Sequence, residues 1–205
     1  MGKGEQTKQH IVAEAAGLFN QRGYVGTSMA ELMKATGLQK GGIYNHFQSK
    51  HELSLAAFDY AIAQVTRLYR QVLRQERHGL RRMVGILDIY RRLMDDPPVP
   101  GGCPMLNAAV DSDDTDPVLR SRVRAAMDNW RSLLRQVLQK GVRRGEFRAD
   151  IDIEMTITVV VATLEGGIML GKLYNDPVLL NQAITHVQGY LQTLVEPVGN
   201  DGVKT

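Results

Sequence analysis

At 205 residues the chain is long enough for a sizeable core, as one domain or as a small domain fused to a larger one. Its hydrophobic share of 43% and charged share of 23% are those of an ordinary globular protein, and its single cysteine, Cys103, excludes any disulfide within the chain and fits a reducing compartment. The net charge of +3 is unevenly spread: Lys3, Lys8, Arg22, Lys34, Lys40 and Lys50 outnumber Glu5, Glu14 and Glu31 at the front, whereas residues 151–205 are acidic, which fits a polyanion partner for the N-terminal part.

The first ten residues are polar and carry no apolar signal segment, so a cytoplasmic protein is expected. The most apolar stretch, Met155 to Gly171, is short for a membrane span and contains Thr156, Thr158, Thr163 and Glu165; a buried helix and no membrane partner are expected. Few aromatics, plentiful Ala, Leu, Val, Arg and Gln, and prolines that fall at helix boundaries give an all-α fold of about nine helices.

The first helix is expected from about Thr7 to Arg22, with Ile11, Ala15, Leu18 and Phe19 spaced i, i+4, i+7, i+8 as its apolar stripe. Gly23 ends it. Ser28-Met29-Ala30-Glu31 reads as a capping box opening a short helix to about Thr36, and Gly37 makes the turn. A third short helix covers about Lys40 to Phe47. A second capping box, Ser49-Lys50-His51-Glu52, opens a long helix to about Arg77. Another helix runs beyond His78-Gly79 to about Met94. The segment 95–102, with three prolines and two glycines, is a loop, and a short helix starts at Pro104. Asp116-Pro117 and Asp176-Pro177 are each a cap followed by a first-turn proline; between the two helices that they open, Asp152 caps a helix to about Tyr174. The last helix runs to about Val195.

Two short helices joined by a glycine turn after a longer amphipathic helix describe a helix-turn-helix. The residues sharpen it: Ala15-Ala16-Gly17-Leu18-Phe19, Arg22-Gly23-Tyr24, Thr27-Ser28-Met29, Leu32, Ala35-Thr36-Gly37-Leu38, Gly41, Tyr44-Asn45-His46-Phe47 and Ser49-Lys50-His51-Glu52-Leu53. This set resembles the head of the TetR family of bacterial repressors, over about residues 8 to 55. The resemblance implies a head at 1–50, a ligand-binding and dimerisation domain at 51–197, and here a disordered tail at 198–205. Thr27, Tyr44, His46 and Lys50 would then reach phosphates, while Gln39, Lys40, Asn45 and the backbone of Gly41 and Gly42 would read bases in operator double-stranded DNA. Tyr44 also suits a core position, and His46 a plain surface one. Gln39 and Gly42 depart from the family pattern. Gln39 is a poor N-cap, and the paired glycines cost about 1 kcal/mol each against alanine, so the recognition helix is expected to be loose.

The apolar run 159–170 implies burial on one side within its own domain and on the other against a homodimer partner, with the last helix alongside. Leu68, Met83, Leu87, Tyr90, Cys103, Met105, Met127, Trp130, Leu134, Met155, Glu165 and Met169 are the candidates for lining the site of a small, largely apolar effector, or else ordinary core. Glu165 would face a cationic ligand or, better, an arginine across the dimer. Asp111, Asp113, Asp114 and Asp116 lack the glycine and final glutamate of a calcium loop, so no metal is expected. Cofactor and enzyme signatures are missing: there is no nucleophile elbow, metal-binding His pair, P-loop or dinucleotide fingerprint. The expected function is therefore a ligand-relieved repressor. Two alternatives are a redox or electrophile sensor acting through Cys103, held accessible as an N-cap by Gly101 and Gly102 where a small, half-buried packing residue is the plainer reading, and an architectural DNA binder without a ligand.

Overall fold

The computed structural model describes residues 2–196. Those residues form α1 (Lys3–Arg22), α2 (Met29–Thr36), α3 (Lys40–Tyr44), α4 (Lys50–Gln75), α5 (Gly79–Asp95), α6 (Pro104–Ser112), α7 (Pro117–Arg143), α8 (Ile153–Tyr174) and α9 (Pro177–Thr193). There is no strand among them, only an isolated bridge between Phe147 and Val195. The expected tail lies outside the described residues.

Local chemistry sets most boundaries. Ser28 accepts from the Glu31 amide while the Glu31 carboxylate accepts from the Ser28 amide at 2.8 Å, which completes the capping box of α2. At α4 the box is displaced: Ser49 caps the Glu52 amide at 3.0 Å, but the Glu52 carboxylate takes the amide of Gln48. Asp116, Asp152 and Asp176 accept first-turn amides of α7, α8 and α9, each at 2.9 Å. Asn175, in the left-handed region at φ 51°, ends α8. Helix α1 begins four residues earlier than the expected Thr7, and α3 stops at Tyr44 rather than Phe47.

The chain divides into two compact units. The first comprises the chain up to Gln71 together with Ile89–Trp130. Its core begins with the head residues expected from sequence, Ile11, Ala15, Phe19, Leu32, Ile43 and Phe47, with Leu18, Met29 and Leu38 half-buried against them. It continues without a break into Leu53, Ala57, Phe58 and Ala61 of α4, Ala108 of α6, and Leu119 and Val123 of α7. Sequence periodicity passed over Tyr24, which is buried and stacked on Phe19 at 5.3 Å.

The second unit comprises Val72–Asp88 and the chain from Arg131 onward. Here α8 lies against α9, with Ile157, Val160, Leu164 and Ile168 buried on one helix and Leu180, Ile184, Val187 and Leu191 on the other. Gly167 permits the approach: a Cβ there would stand 2.9 Å from the Ala183 methyl carbon and 3.0 Å from Leu180 Cδ1. Helix α8 is apolar enough, at a mean hydropathy of 1.6, to cross a membrane by length and composition. Within this chain its surface is divided, with one side packed and the other open. Replacing Gly167→Ala should overpack this contact and lower stability by about 1–3 kcal/mol, read as a lower urea midpoint at unchanged slope. An unchanged midpoint would show that the helices separate freely at this point.

Candidate nucleic-acid interface

The second and third helices meet through Gly37, whose φ of 69° turns the chain from α2 into α3. Two apolar residues hold α3 down, Ile43 at 1% and Phe47 at 2% exposure. With these as its floor, the short helix turns Gln39, Lys40, Gly41, Tyr44 and Asn45 outward; Gly42 and His46 are half-buried. Tyr44 is 38% exposed and lies under the Lys40 ammonium, 5.7 Å from its ring centroid, so it is a surface aromatic and not a core one.

Two of the expected phosphate residues are engaged within the protein. Thr27 is fully buried, and its hydroxyl donates to the Gly23 carbonyl at 2.7 Å, which continues the chain past the end of α1. The Lys50 ammonium donates to the carbonyls of Val25 at 3.2 Å and Thr27 at 2.5 Å. Lys50 thus closes the segment before α2 onto the start of α4. An ammonium has three donors, so a phosphate can still be reached at the third. The Thr27 side chain has no such latitude; its part is structural in this arrangement.

Cap chemistry sets the electrostatics beneath α2. The Ser28 amide and hydroxyl, and then Arg22, hold the Glu31 carboxyl below the ordinary range despite its partial burial penalty. This support is present above the usual glutamate pKa and fades as pH falls through the lowered value. Among the described residues no group of three or more His, Cys, Asp or Glu is placed to hold a metal ion. The acidic cluster is divided: Asp111 accepts the Tyr24 amide, and Asp116 caps α7 while pairing with His51 at 2.9 Å.

The effector candidates separate between the two units. Leu68, Tyr90, Met105 and Trp130 are buried in the first, with Met127 half-buried; Met83, Leu87 and Leu134 are buried in the second. Met155 and Met169 do not join them. They are 61% and 52% exposed, on the open side of α8 with Val159, Leu170 and Leu173, because that face recurs with the helical period. Glu165 is 8% exposed on the packed side. Cys103 is 2% exposed and makes no side-chain cap bond, which fits the packing residue and not the accessible thiol of the sensor alternative. The glycines before it do not open the loop. Gly101, at φ 116°, presses the loop so close to α1 that a Cβ would lie 2.7 Å from the Asn20 carbonyl oxygen.

A buried scaffold that presents one short, exposed helix after a glycine turn is a helix-turn-helix, the head of a DNA-binding transcriptional regulator. Residues 11–57 match the model for bacterial regulatory proteins of the tetR family, and residues 79–187 match the tetracyclin repressor-like C-terminal domain. The chain belongs to the TetR family. It is 44% identical to a TetR transcriptional regulator from Chloroflexus aurantiacus J-10-FL, with a TM-score of 0.91 over 95% of this chain and 98% of that one. The HTH-type transcriptional repressor DhaR of Mycobacterium sp. (strain GP1) is 23% identical over 195 residues, covering 95% of this chain and 96% of its own. A cysteine mutant of the TetR-family regulator CifR, complexed with 26-bp double-strand operator DNA, shares the fold at 23% identity and a TM-score of 0.77, over 88% of this chain and 94% of that one.

The glycines of α3 leave room for side chains. A Cβ at Gly41 would meet nothing within 4 Å, and at Gly42 only Leu38 at 3.5 Å, and neither residue has a positive φ. Gly41→Ala and Gly42→Ala should therefore stabilise α3 by up to about 1 kcal/mol each, and Gln39→Ser by about 0.5–2 kcal/mol through a new cap. Slower amide exchange across residues 41–47 is the expected result. Faster exchange would show that the glycines relieve strain in the folded head.

Proposed function

We propose that the chain is a ligand-relieved repressor that acts in the cytoplasm as a homodimer on a near-palindromic operator. The observation that carries the proposal is a pair of surfaces. One is the exposed run Gln39, Lys40, Tyr44 and Asn45 of the helix-turn-helix. The other is the open apolar face of α8, with Leu173 71%, Tyr174 67%, Met155 61% and Met169 52% exposed, beside Val178 of α9 at 53%. A continuous apolar face of this kind calls for a covering partner. A second copy does so symmetrically and presents two recognition helices to successive major grooves, about 34–36 Å apart. The operator complex of CifR supports a double-stranded target for this fold.

Lys40 suits guanine and Asn45 suits adenine in the major groove, with the backbone at Gly41 and Gly42 close to the bases. Lys50, His46 and Tyr44 serve the phosphates. The effector is a small, largely apolar molecule that binds the DNA-incompetent form more tightly and so lowers operator affinity. The redox alternative gains nothing from the placement of Cys103, whose burial suits a small packing residue.

The deciding experiment is binding across an operator library. Lys50→Ala should weaken all sequences by a similar factor, whereas Lys40→Ala and Asn45→Ala should each relax preference at particular base pairs, by about 1–3 kcal/mol. Uniform loss in all three variants would overturn the base-reading assignment.

Dimerisation is tested apart from the head. Leu173→Glu places a charge on an exposed position, where it leaves the fold of one chain intact. Light scattering at micromolar concentration should give a dimer for the parent and a monomer for the variant, with loss of near-palindromic operator binding. A dimeric variant would move the interface off α8.

A further inference from the structure

Trp130 is the chain's one tryptophan. It sits on α7 at 5% exposure, stacked on Tyr69 of α4 with 4.0 Å between ring centroids and 23° between planes. Both residues belong to the first compact unit. The indole N–H is buried and has no hydrogen-bond partner among the described residues. A tryptophan buried this deeply ordinarily finds an acceptor, because a donor stripped of water is costly when nothing replaces it. An indole nitrogen only donates, so what completes it is an acceptor.

We propose that Trp130 is a specificity-determining residue for the effector: its Nε1–H donates to a neutral oxygen, such as a carbonyl, ether or hydroxyl, carried on an otherwise apolar molecule. The proposal rests on the ligand-relieved reading and narrows it from any apolar compound to an oxygen-bearing one. Neutrality follows from the surroundings along the two helices. Val65 and Leu68 on α4, and Val123 on α7, are buried and apolar. None of these side chains offers a cation. A carboxylate there would be buried without a free counter-charge. The stacked Tyr69–Trp130 pair supplies a rigid aromatic wall, and the single donor at its edge sets the orientation. A hydrocarbon of the same shape would leave the donor stranded, and sites that hydrogen-bond a substrate group discriminate strongly against analogues lacking it.

The test uses a matched pair of probes, propiophenone and propylbenzene, on the full-length protein. Calorimetry should give the ketone at least tenfold tighter binding than the hydrocarbon. With one tryptophan, the indole N–H bending band in ultraviolet resonance Raman spectra belongs to Trp130 alone; it should shift to its hydrogen-bonded position with the ketone and not with the hydrocarbon. Trp130→Phe should bind propylbenzene as before and lose the preference for the ketone. The Raman measurement on the parent protein stands even if that variant folds poorly. Equal binding of both probes without a band shift would overturn the role of Trp130 and leave the apolar-effector reading in place. A band already at the hydrogen-bonded position in the free protein would assign the N–H to a buried water and overturn it as well. Binding of neither probe would sink the effector reading and this inference with it.

Discussion

Asn20 is the constraint on which the first unit depends. It lies in the last turns of α1 at 3% exposure, and its amide donates to the carbonyls of Pro100 at 2.9 Å and Gly102 at 3.2 Å. Asn107 of α6 answers from the other side, donating to the Asn20 side-chain oxygen, the Asn20 carbonyl and the Gly101 carbonyl, each at 2.9 Å. Leaving one such buried group without a partner costs about 1–3 kcal/mol, against a total folding stability of about 5–15 kcal/mol for a domain. The network therefore fixes the proline-rich loop, and with it the start of α6, against the DNA-binding head. Asp111 on the Tyr24 amide and Asp116 on His51 repeat the tie at the far end of α6. The exposed pair His51–Asp116 contributes little energy, but the Asp111 tie is half-buried and ends a helix, so its geometry matters more than its strength.

These ties hold the base of the head and do not reach its tip. The core around Phe19, Tyr24 and Phe58 continues into α6 and α7, so the head shares its packing with the region that follows it. Helix α3 does not share that security. It is five residues long, begins at Gln39 without a side-chain cap, contains two glycines, and is held by Ile43 and the following Phe47. A short helix with these features is expected at the low-stability end of the fold, which the exchange measurement on the glycine variants tests. In the proposed complex, ordering it on DNA would subtract from affinity, while the missing side chains at Gly41 and Gly42 would let backbone approach the base edges. Specificity would then lean on few direct contacts and on how the duplex itself bends.

Boundaries set by local chemistry were legible in the sequence. Ser28 with Glu31, Asp116 with Pro117 and Asp176 with Pro177 specify helix starts from neighbours three or four residues away, and the structure places them so. The head core was equally legible, since its apolar residues keep a helical period and match a specific family pattern. Long-range contacts were not. The burial of Cys103 depends on Asn20, eighty-odd residues earlier, and Gly101 looked like a source of openness when its positive φ is what lets the loop press down. Lys50 and Thr27 drew attention as phosphate ligands, but which carbonyls they would meet depends on how α4 crosses the segment before α2. The chemistry of Met155 and Met169 suits an effector site, but their spacing with Val159 and Leu173 puts them on one outer stripe. The orphan donor of Trp130 leaves no sequence signal at all, because it is defined by what surrounds the ring.

The expected softness of α3 and the open face of α8 bear on each other through the proposed dimer. A single soft recognition helix binds weakly, since part of every contact made is offset by the ordering of the helix. Joining two heads through one apolar face makes the second contact intramolecular, and its gain depends on how well the spacing of the heads matches the operator. Spacing can be matched only if each head is rigidly mounted, which is the part the Asn20 network and the Asp111 tie play. It can be switched only if a ligand favours a different mounting, and the free energy available for switching is limited to the ligand's difference in affinity between the two forms. A donor such as Trp130, left stranded in one arrangement and satisfied by ligand in another, supplies such a difference from a single hydrogen bond. An apolar body alone, burying similar area in both, would supply far less.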